Sequence, residues 1–134
     1  MRALLVANPH ATTTTAAGRD VIARAMAGEV KLDVVATERR GHAAEAAEQA
    51  VRDGIELVVA HGGDGTLNEV VNGVLAATDG RTGDPLDGPV VGIVPGGSAN
   101  VFARALGVPV EPMAATARMI RRCSARTRCW ACPG

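Results

Sequence analysis

Four short apolar runs, each followed by a polar or glycine-rich turn and then by a segment of helical period, predict an α/β protein. The expected architecture has three layers, a parallel sheet with helices on both faces. Three observations carry this. The runs are continuous rather than alternating, as in strands buried on both faces. A helix-length segment separates successive runs, which calls for right-handed crossovers and parallel pairing. A length of 134 residues suits one domain with a real core.

Ala3 to Ala7 is the first run, closed by the turn signal Asn8-Pro9. Thr12 to Thr15 offer helix N-caps, and Val21, Ile22, Ala25 and Met26 recur at helical spacing until Gly28. Lys31 to Ala36 is the second strand and ends at Thr37. Gly41 to Arg52 is an Ala-rich helix with Glu48 and Arg52 at the favourable i,i+4 spacing, closed by Gly54. Ile55 to Ala60 is the third strand, followed by "HGGDGTLNE" and a helix through Leu75. Ala76 to Pro89, rich in Gly, Asp and Pro, reads as a loop. Val90 to Val94 is the fourth strand, and "PGGSAN" leads into a helix ending near Leu106, with Gly107 and Pro109 as its stop. A last helix is expected from about Glu111 to Arg122, completing a domain of residues 1–122. Residues 123–134, "CSARTRCWACPG", depart in composition and read as a disordered tail.

Phe102 and Trp130 are the only aromatic residues, so the core must be built from Ala, Val, Leu and Ile. A net charge of zero argues against nucleic acid as a partner. The charge is nevertheless uneven, with five arginines and no acid from Arg118 onward. Met1-Arg2 precedes only five apolar residues, too few for a signal peptide, and no run nears the roughly 18 residues of a membrane span. A soluble, cytoplasmic protein is expected. Cys129 and Cys132 are spaced C-x-x-C but lack the strand-to-helix setting of a redox motif, and no fourth zinc ligand lies near them and Cys123 in sequence. His10, His42 and His61 read as solvated or capping residues rather than a catalytic set.

Asn8, Thr37, residues 62–66 and residues 96–100 each follow a strand. In a parallel sheet they emerge together at the carboxyl edge, where open α/β sheets bind ligands. Glycines in the third turn permit positive φ and close approach of main chain to a ligand. A helix beginning near Thr66 aims unpaired amides and its positive dipole end at that ligand. Gly96-Gly97-Ser98 repeats the arrangement, so the two turns suit two phosphates of one nucleotide. A purely structural reading stands beside this. Thr66 and Glu69 match a capping box, Ser98 is a good N-cap, and Leu67, Val70, Val71 and Val74 form a buried stripe. Asp64 fits that reading less well. Its carboxylate would repel phosphate unless a cation intervened, and magnesium resolves the conflict. A P-loop is absent, since the only lysine is Lys31, and a G-x-G-x-x-G fingerprint fails at Asn68.

"GGDGTLNEVVNG" resembles the glycine-rich signature of the diacylglycerol kinase catalytic-domain family, which includes bacterial lipid kinases and sphingosine kinases. Asn8-Pro9, Thr37 with Gly41-His42-Ala43, and "VPGGSANVFARALGVP" resemble further family segments in the same order. NAD kinases share a GGDGT loop, but Asn68-Glu69 and the GGSAN segment fit the lipid kinases better. The resemblance implies a nucleotide-binding domain that binds ATP through Asn8, Thr37, Gly62, Gly63, Asp64, Gly65, Thr66, Leu67, Asn68, Glu69 and Ser98, with Asp64 near magnesium. It implies transfer of the γ-phosphoryl group to the hydroxyl of a lipid acceptor such as diacylglycerol. Family members add a β-rich second domain that carries further metal ligands and the base, and this sequence stops short of it. Ser98 stands where the family has Thr and keeps the hydroxyl, whereas Val101 replaces the usual Asp after Asn100. A non-catalytic nucleotide-binding module or a truncation product is therefore the alternative expectation. Peripheral membrane contact at the inner face and homo-oligomers formed through exposed sheet edges are compatible with both.

Overall fold

The computed structural model describes residues 1–78 and 88–130, the stretch 124–130 by its backbone alone. Four strands form one sheet: β1 (Arg2–Ala7), β2 (Lys31–Ala36), β3 (Leu57–Gly62) and β4 (Val90–Pro95). The sheet order is β2-β1-β3-β4 and every pairing is parallel. Helices α1 (Ala16–Ala27), α2 (His42–Arg52), α3 (Asp64–Thr78), α4 (Val101–Ala105) and α5 (Pro112–Trp130) alternate with or follow the strands. The predicted α/β class, parallel sheet and two-faced covering are all present.

The alternation of side chains along each strand divides the core. Leu4, Val6, Val58 and Ala60 point to one face and pack on Ala43, Ala47, Leu67, Val70 and Val74 of α2 and α3. Leu5, Leu57 and Val59 point to the other and pack on Ile22 and Met26 of α1, with Met119 and Ile120 of α5 against them. β1 and β3, central in the sheet, are the strands buried most completely, as continuous apolar runs require. With so few aromatics, close packing is reached through small residues. Gly73 on α3 lies so near the backbone of Ala44 on α2 that a β-carbon there would strike the Ala44 carbonyl oxygen.

Local signals account for most boundaries. Thr15 caps α1, its hydroxyl accepting from the Gly18 amide at 2.9 Å. Gly41 enters α2 at φ +87°, and Glu48 and Arg52 pair at 3.0 Å on its exposed side. Several boundaries differ from expectation. β3 starts at Leu57, not Ile55, because Ile55 completes the end of α2: its amide donates to the Ala50 carbonyl at 2.9 Å after the left-handed Gly54. α3 runs to Thr78, so the predicted loop from Ala76 begins later, and its residues 79–87 lie outside the described structure. α5 continues to Trp130, past the predicted end at Arg122, with neither Gly nor Pro in that stretch to stop it. The backbone of the expected disordered tail is thus helical to Trp130, and residues 131–134 are outside the described residues.

Replacing an exposed mid-helix glycine by alanine ordinarily stabilises by up to about 1 kcal/mol. Gly73→Ala should do the opposite, destabilising by roughly 1–3 kcal/mol because α2 and α3 must separate. Urea unfolding of the two proteins measures the sign.

Candidate functional site

The chain steps from β1 outward to β2, then returns to the other side of β1 for β3 and β4. That reversal puts α1 on one face and α2 and α3 on the other, and opens a crevice at the carboxyl ends of β1 and β3. Asn8 leaves β1 there, its amide donating to the His61 carbonyl at 3.0 Å and its side-chain oxygen accepting from the His10 amide at 3.0 Å. Thr37 leaves β2 beside it, held by its amide to the Ala7 carbonyl at 2.8 Å.

The turns after β3 and β4 press backbone against backbone. A β-carbon on Gly97 would lie 2.6 Å from the Gly63 Cα, and one on Gly96 would lie 3.2 Å from the Gly62 Cα. The Gly96 amide donates to the Gly62 carbonyl at 2.8 Å, extending the ladder into the turns. Gly62 itself faces Thr66, with 2.6 Å from a built β-carbon to the hydroxyl oxygen. None of these glycines has positive φ, so the expected use of left-handed conformations in this run is replaced by close approach of one turn to the other. Gly65 differs: no atom lies within 4 Å of where its β-carbon would be. Its open side faces the crevice.

The capping expectations are also redrawn. α3 begins at Asp64 and its first ladder bond runs from the Leu67 amide to the Gly63 carbonyl at 3.2 Å, so Thr66 is inside the helix rather than its cap. Glu69 does not turn back to it. Its carboxylate accepts from the Gly41 amide at 2.8 Å and ties α3 to the entrance of α2. Ser98 does not cap α4 either, since α4 starts at Val101 after Asn100. Asn100 takes the left-handed conformation at φ 49°, and its amide side chain clasps Gly97, accepting from the nitrogen at 3.1 Å and donating to the oxygen at 2.9 Å. Asp64 supplies the missing cap from another element, its two carboxylate oxygens accepting from the Val101 and Phe102 amides at 3.1 Å each.

The crevice has two connected lobes. One, of about 250 Å³, is lined by Asn8, His10 and the two glycine turns, including Gly63 to Thr66 and Gly97 to Asn100. The other, of about 300 Å³, shares Asn8, His10, Gly65 and Thr66 and adds Thr37, Glu38, Arg39, Arg40, Ala43 and Glu69. Asn8, Thr37, Gly63, Asp64, Gly65, Thr66, Glu69 and Ser98 are therefore brought together as expected. Gly62 lies buried beneath the crevice, Leu67 faces the core, and Asn68 is exposed and lines neither lobe. His10, Glu38, Arg39 and Arg40 were missed as lining residues. All four sit within three residues of Asn8 or Thr37, and position after a strand end was the signal available for them.

Among the charges at this edge, Arg39 pairs with Glu45 at 2.6 Å, which raises the guanidinium's pKa and lowers that of the carboxyl. Both are exposed, so the pair adds little stability. His42 fulfils its expected local role, with Nδ1 accepting from the Glu38 amide at 3.0 Å. His61 is neither solvated nor a cap. It is buried in β3 with Nδ1 3.0 Å from the Val94 carbonyl oxygen, and burial pushes its pKa below the ordinary 6.5, the carbonyl offsetting part of that shift. Among the described residues no group of three or more His, Cys, Asp or Glu is placed to hold a metal. Asp64 alone is a donor set for magnesium only when phosphates complete the shell, which is how that ion usually binds. A larger apolar groove of about 520 Å³ runs between β4 and α5, and neither glycine turn reaches it.

Two predictions test these assignments. Gly65→Ala should leave the fold intact and raise stability by up to about 1 kcal/mol, whereas Gly97→Ala should lower it by roughly 1–3 kcal/mol. Thermal melts of both variants separate the glycine that faces the open crevice from the one that serves packing. His61, favoured neutral in the fold, leaves the unfolded chain binding more protons near and below pH 6.5. Its contribution is complete above that pH and is lost as pH falls toward the lower folded value, so stability should decline on acidification. A His61→Gln variant should show a flatter profile over that window in denaturant titrations.

The family model for the diacylglycerol kinase catalytic domain matches residues 2–131. The chain is 49% identical over 76 residues to a diacylglycerol kinase of Bacillus subtilis, covering 57% of this chain and 22% of that protein. It is 41% identical over 96 residues to a diacylglycerol kinase of Staphylococcus haemolyticus, covering 72% of this chain and 27% of that one. A Xanthomonas euvesicatoria protein described as "probable lipid kinase YegS-like" is 42% identical over 93 residues, covering 69% and 29%. A solved diacylglycerol kinase of Bacillus anthracis superposes with a TM-score of 0.78 at 27% identity, over 90% of this chain and 42% of that one. The chain thus spans less than a third of the length of these curated relatives. On the match along nearly its whole length, with the crevice in the fold of a solved relative, the chain belongs to the diacylglycerol kinase catalytic-domain family.

Proposed function

We propose that the crevice binds ATP as its magnesium complex and serves transfer of the γ-phosphoryl group to the hydroxyl of a lipid such as diacylglycerol. The observation that carries this reading is the pair of glycine turns stacked at the switch point, with Gly65 open toward the solvent side. Backbone amides of the first turn of α3 lack helical partners, and the helix dipole favours an anion in front of them. The lobe bounded by Gly63 to Thr66 and Gly97 to Asn100 is the phosphate end. The lobe beyond Thr37, with Arg40 and Ala43 on its wall, is the nucleoside end. Magnesium bound between the phosphates and Asp64 would neutralise charge developing on the transferred group. Around it, Asn8 and Asn100 hold the turns in register and Glu69 fixes α2 against α3. A donor of this kind places the reaction in the cytoplasm, and a lipid acceptor brings the protein to the inner membrane face as a peripheral partner. Self-association through the open edges β2 and β4 is compatible with the same reading.

A second reading, a nucleotide-binding module without turnover by these residues alone, is favoured by one observation. Both carboxylates closest to the glycine turns are already engaged, Asp64 by the amides of α4 and Glu69 by Gly41. Each holds backbone N–H of a neighbouring element, a positional use that suits an ionised carboxylate.

A melt with and without Mg-ATP tests binding directly, because ligand at 100 times its dissociation constant adds roughly 2.7 kcal/mol. The shift should appear in the parent and vanish in Gly65→Val; a melt indifferent to nucleotide removes the proposal. Formation of phosphatidic acid from diacylglycerol separates the two readings. Asp64→Asn should weaken Mg-ATP more than metal-free ATP, while lowering stability by roughly 0.5–1.5 kcal/mol, because the amide keeps only one of the two oxygens that accept from α4. Equal losses for the two ligands would refute the metal role.

A further inference from the structure

Among the described residues His61 is the one ionisable side chain that is fully buried, at 1% exposure. The four residues before it in β3, Leu57 to Ala60, are aliphatic and buried, and an aliphatic residue would fill its place with no polar atom to satisfy. What sets the imidazole apart is its hydrogen bond. Nδ1 lies 3.0 Å from the Val94 carbonyl oxygen, and because a carbonyl only accepts, Nδ1 carries the hydrogen. The ring also borders a cavity of about 230 Å³, lined by Thr13, Ile22, Glu111 and Met113 among others, so packing alone does not fix its tilt.

That bond has a particular place in the fold. Ala7, His61 and Val94 are partners in register across β1, β3 and β4. The His61 carbonyl accepts from the Asn8 amide at 3.0 Å, so this one residue holds the ends of both neighbouring strands. Each of the three strands then feeds the phosphate lobe: Asn8 after β1, residues 63–66 after β3 and residues 97–100 after β4. Among the described residues β4 is an edge strand, paired on one side only, so its end has less backbone support than those of β1 and β3. Val94 stands just ahead of Gly96 and Gly97, and the contact of Gly97 with the first turn leaves no slack. A small tilt of the β4 end would open that contact and carry the second turn away from the first.

We infer that His61 is a positioning residue for the phosphate lobe: through the Val94 carbonyl its imidazole sets where Gly96, Gly97 and Ser98 stand against Gly63 to Gly65, and so how well the lobe fits a nucleotide's phosphates. The phosphate half of this rests on the reading of the crevice as a nucleotide site. His61 lines neither lobe and acts only through the backbone it holds. Small misplacements of binding groups are costly, which gives a remote tie of this kind its leverage. The rival is a ring that merely fills the core, in which case affinity would follow stability. Asparagine and leucine separate the two. The asparagine nitrogen takes the place of Nδ1 but leaves most of the ring's volume empty, whereas leucine fills the volume and has no donor.

The test is calorimetric titration of the full chain with Mg-ATP beside His61→Asn and His61→Leu, with urea unfolding of each. His61→Leu should weaken Mg-ATP roughly three- to tenfold, the scale of one hydrogen bond, while unfolding no more easily than His61→Asn. His61→Asn should restore most of the affinity despite the cavity it leaves. His61→Met, nearer the imidazole in volume, replaces His61→Leu if that variant does not fold. Equal affinity in all three proteins overturns the inference, as does affinity that is lower in His61→Asn or that simply follows stability. Backbone amide resonances of Gly96 and Gly97, read without nucleotide, keep this claim apart from the nucleotide reading. They should differ between His61→Leu and His61→Asn, which both lack the ring and its ring current. Identical resonances in the two overturn the positioning role whatever the titrations give. A parent that ignores Mg-ATP while these resonances differ as expected defeats the nucleotide reading and leaves the positioning of the turns standing.

Discussion

The contact between the two glycine turns is the constraint on which the site depends. Gly97 approaches Gly63, and Gly96 approaches Gly62, at separations that leave no room for a side chain on Gly97. With side chains there the turns would stand apart and the helices that follow would begin in different places. Because they touch, the start of α3 and the start of α4 lie close enough for one carboxylate, Asp64, to serve both. Asn100 secures the second turn from within, in a left-handed conformation that asparagine tolerates better than most residues.

The sheet supplies the frame for that contact. β1 and β3 are adjacent though not consecutive, and the crossover that makes them so also separates the helices into two layers. Bulky aromatic residues are almost absent, so the layers hold by close approach of small ones. Ala43, Ala47 and Ala50 of α2 are buried, and Gly73 of α3 is packed against the Ala44 backbone. Glu69 joins this packing to the site, since it leaves α3 at the crevice and secures the first amide ahead of α2.

The order of elements was legible because each carries its own local signal: a continuous apolar run for a strand, a threonine cap for α1, a left-handed glycine at Gly41 or Gly54. The errors fall where a residue answers to a distant partner. Ile55 looked like strand and is spent closing α2. Thr66 and Glu69 looked like a reciprocal cap, and Ser98 like a simple one, yet none caps its own helix. His61 looked like a solvated or capping residue and is buried in β3 against Val94. Leu67 and Asn68 entered the site with the rest of the glycine-rich signature that the family resemblance implies; the helix that starts at Asp64 puts Leu67 in the core and leaves Asn68 off both lobes.

What the sequence by itself determined is the set of strands, their parallel direction and the edge at which Asn8, Thr37 and the glycine turns emerge. These follow from apolar period and connection length, which act over short stretches of chain. Only the tertiary structure decided which glycines serve packing and which stays open, that Asp64 caps α4 across 37 positions of sequence, and that Glu69 reaches Gly41. Those choices depend on distances between segments that share no local pattern, and such distances exist only once the sheet has closed its order.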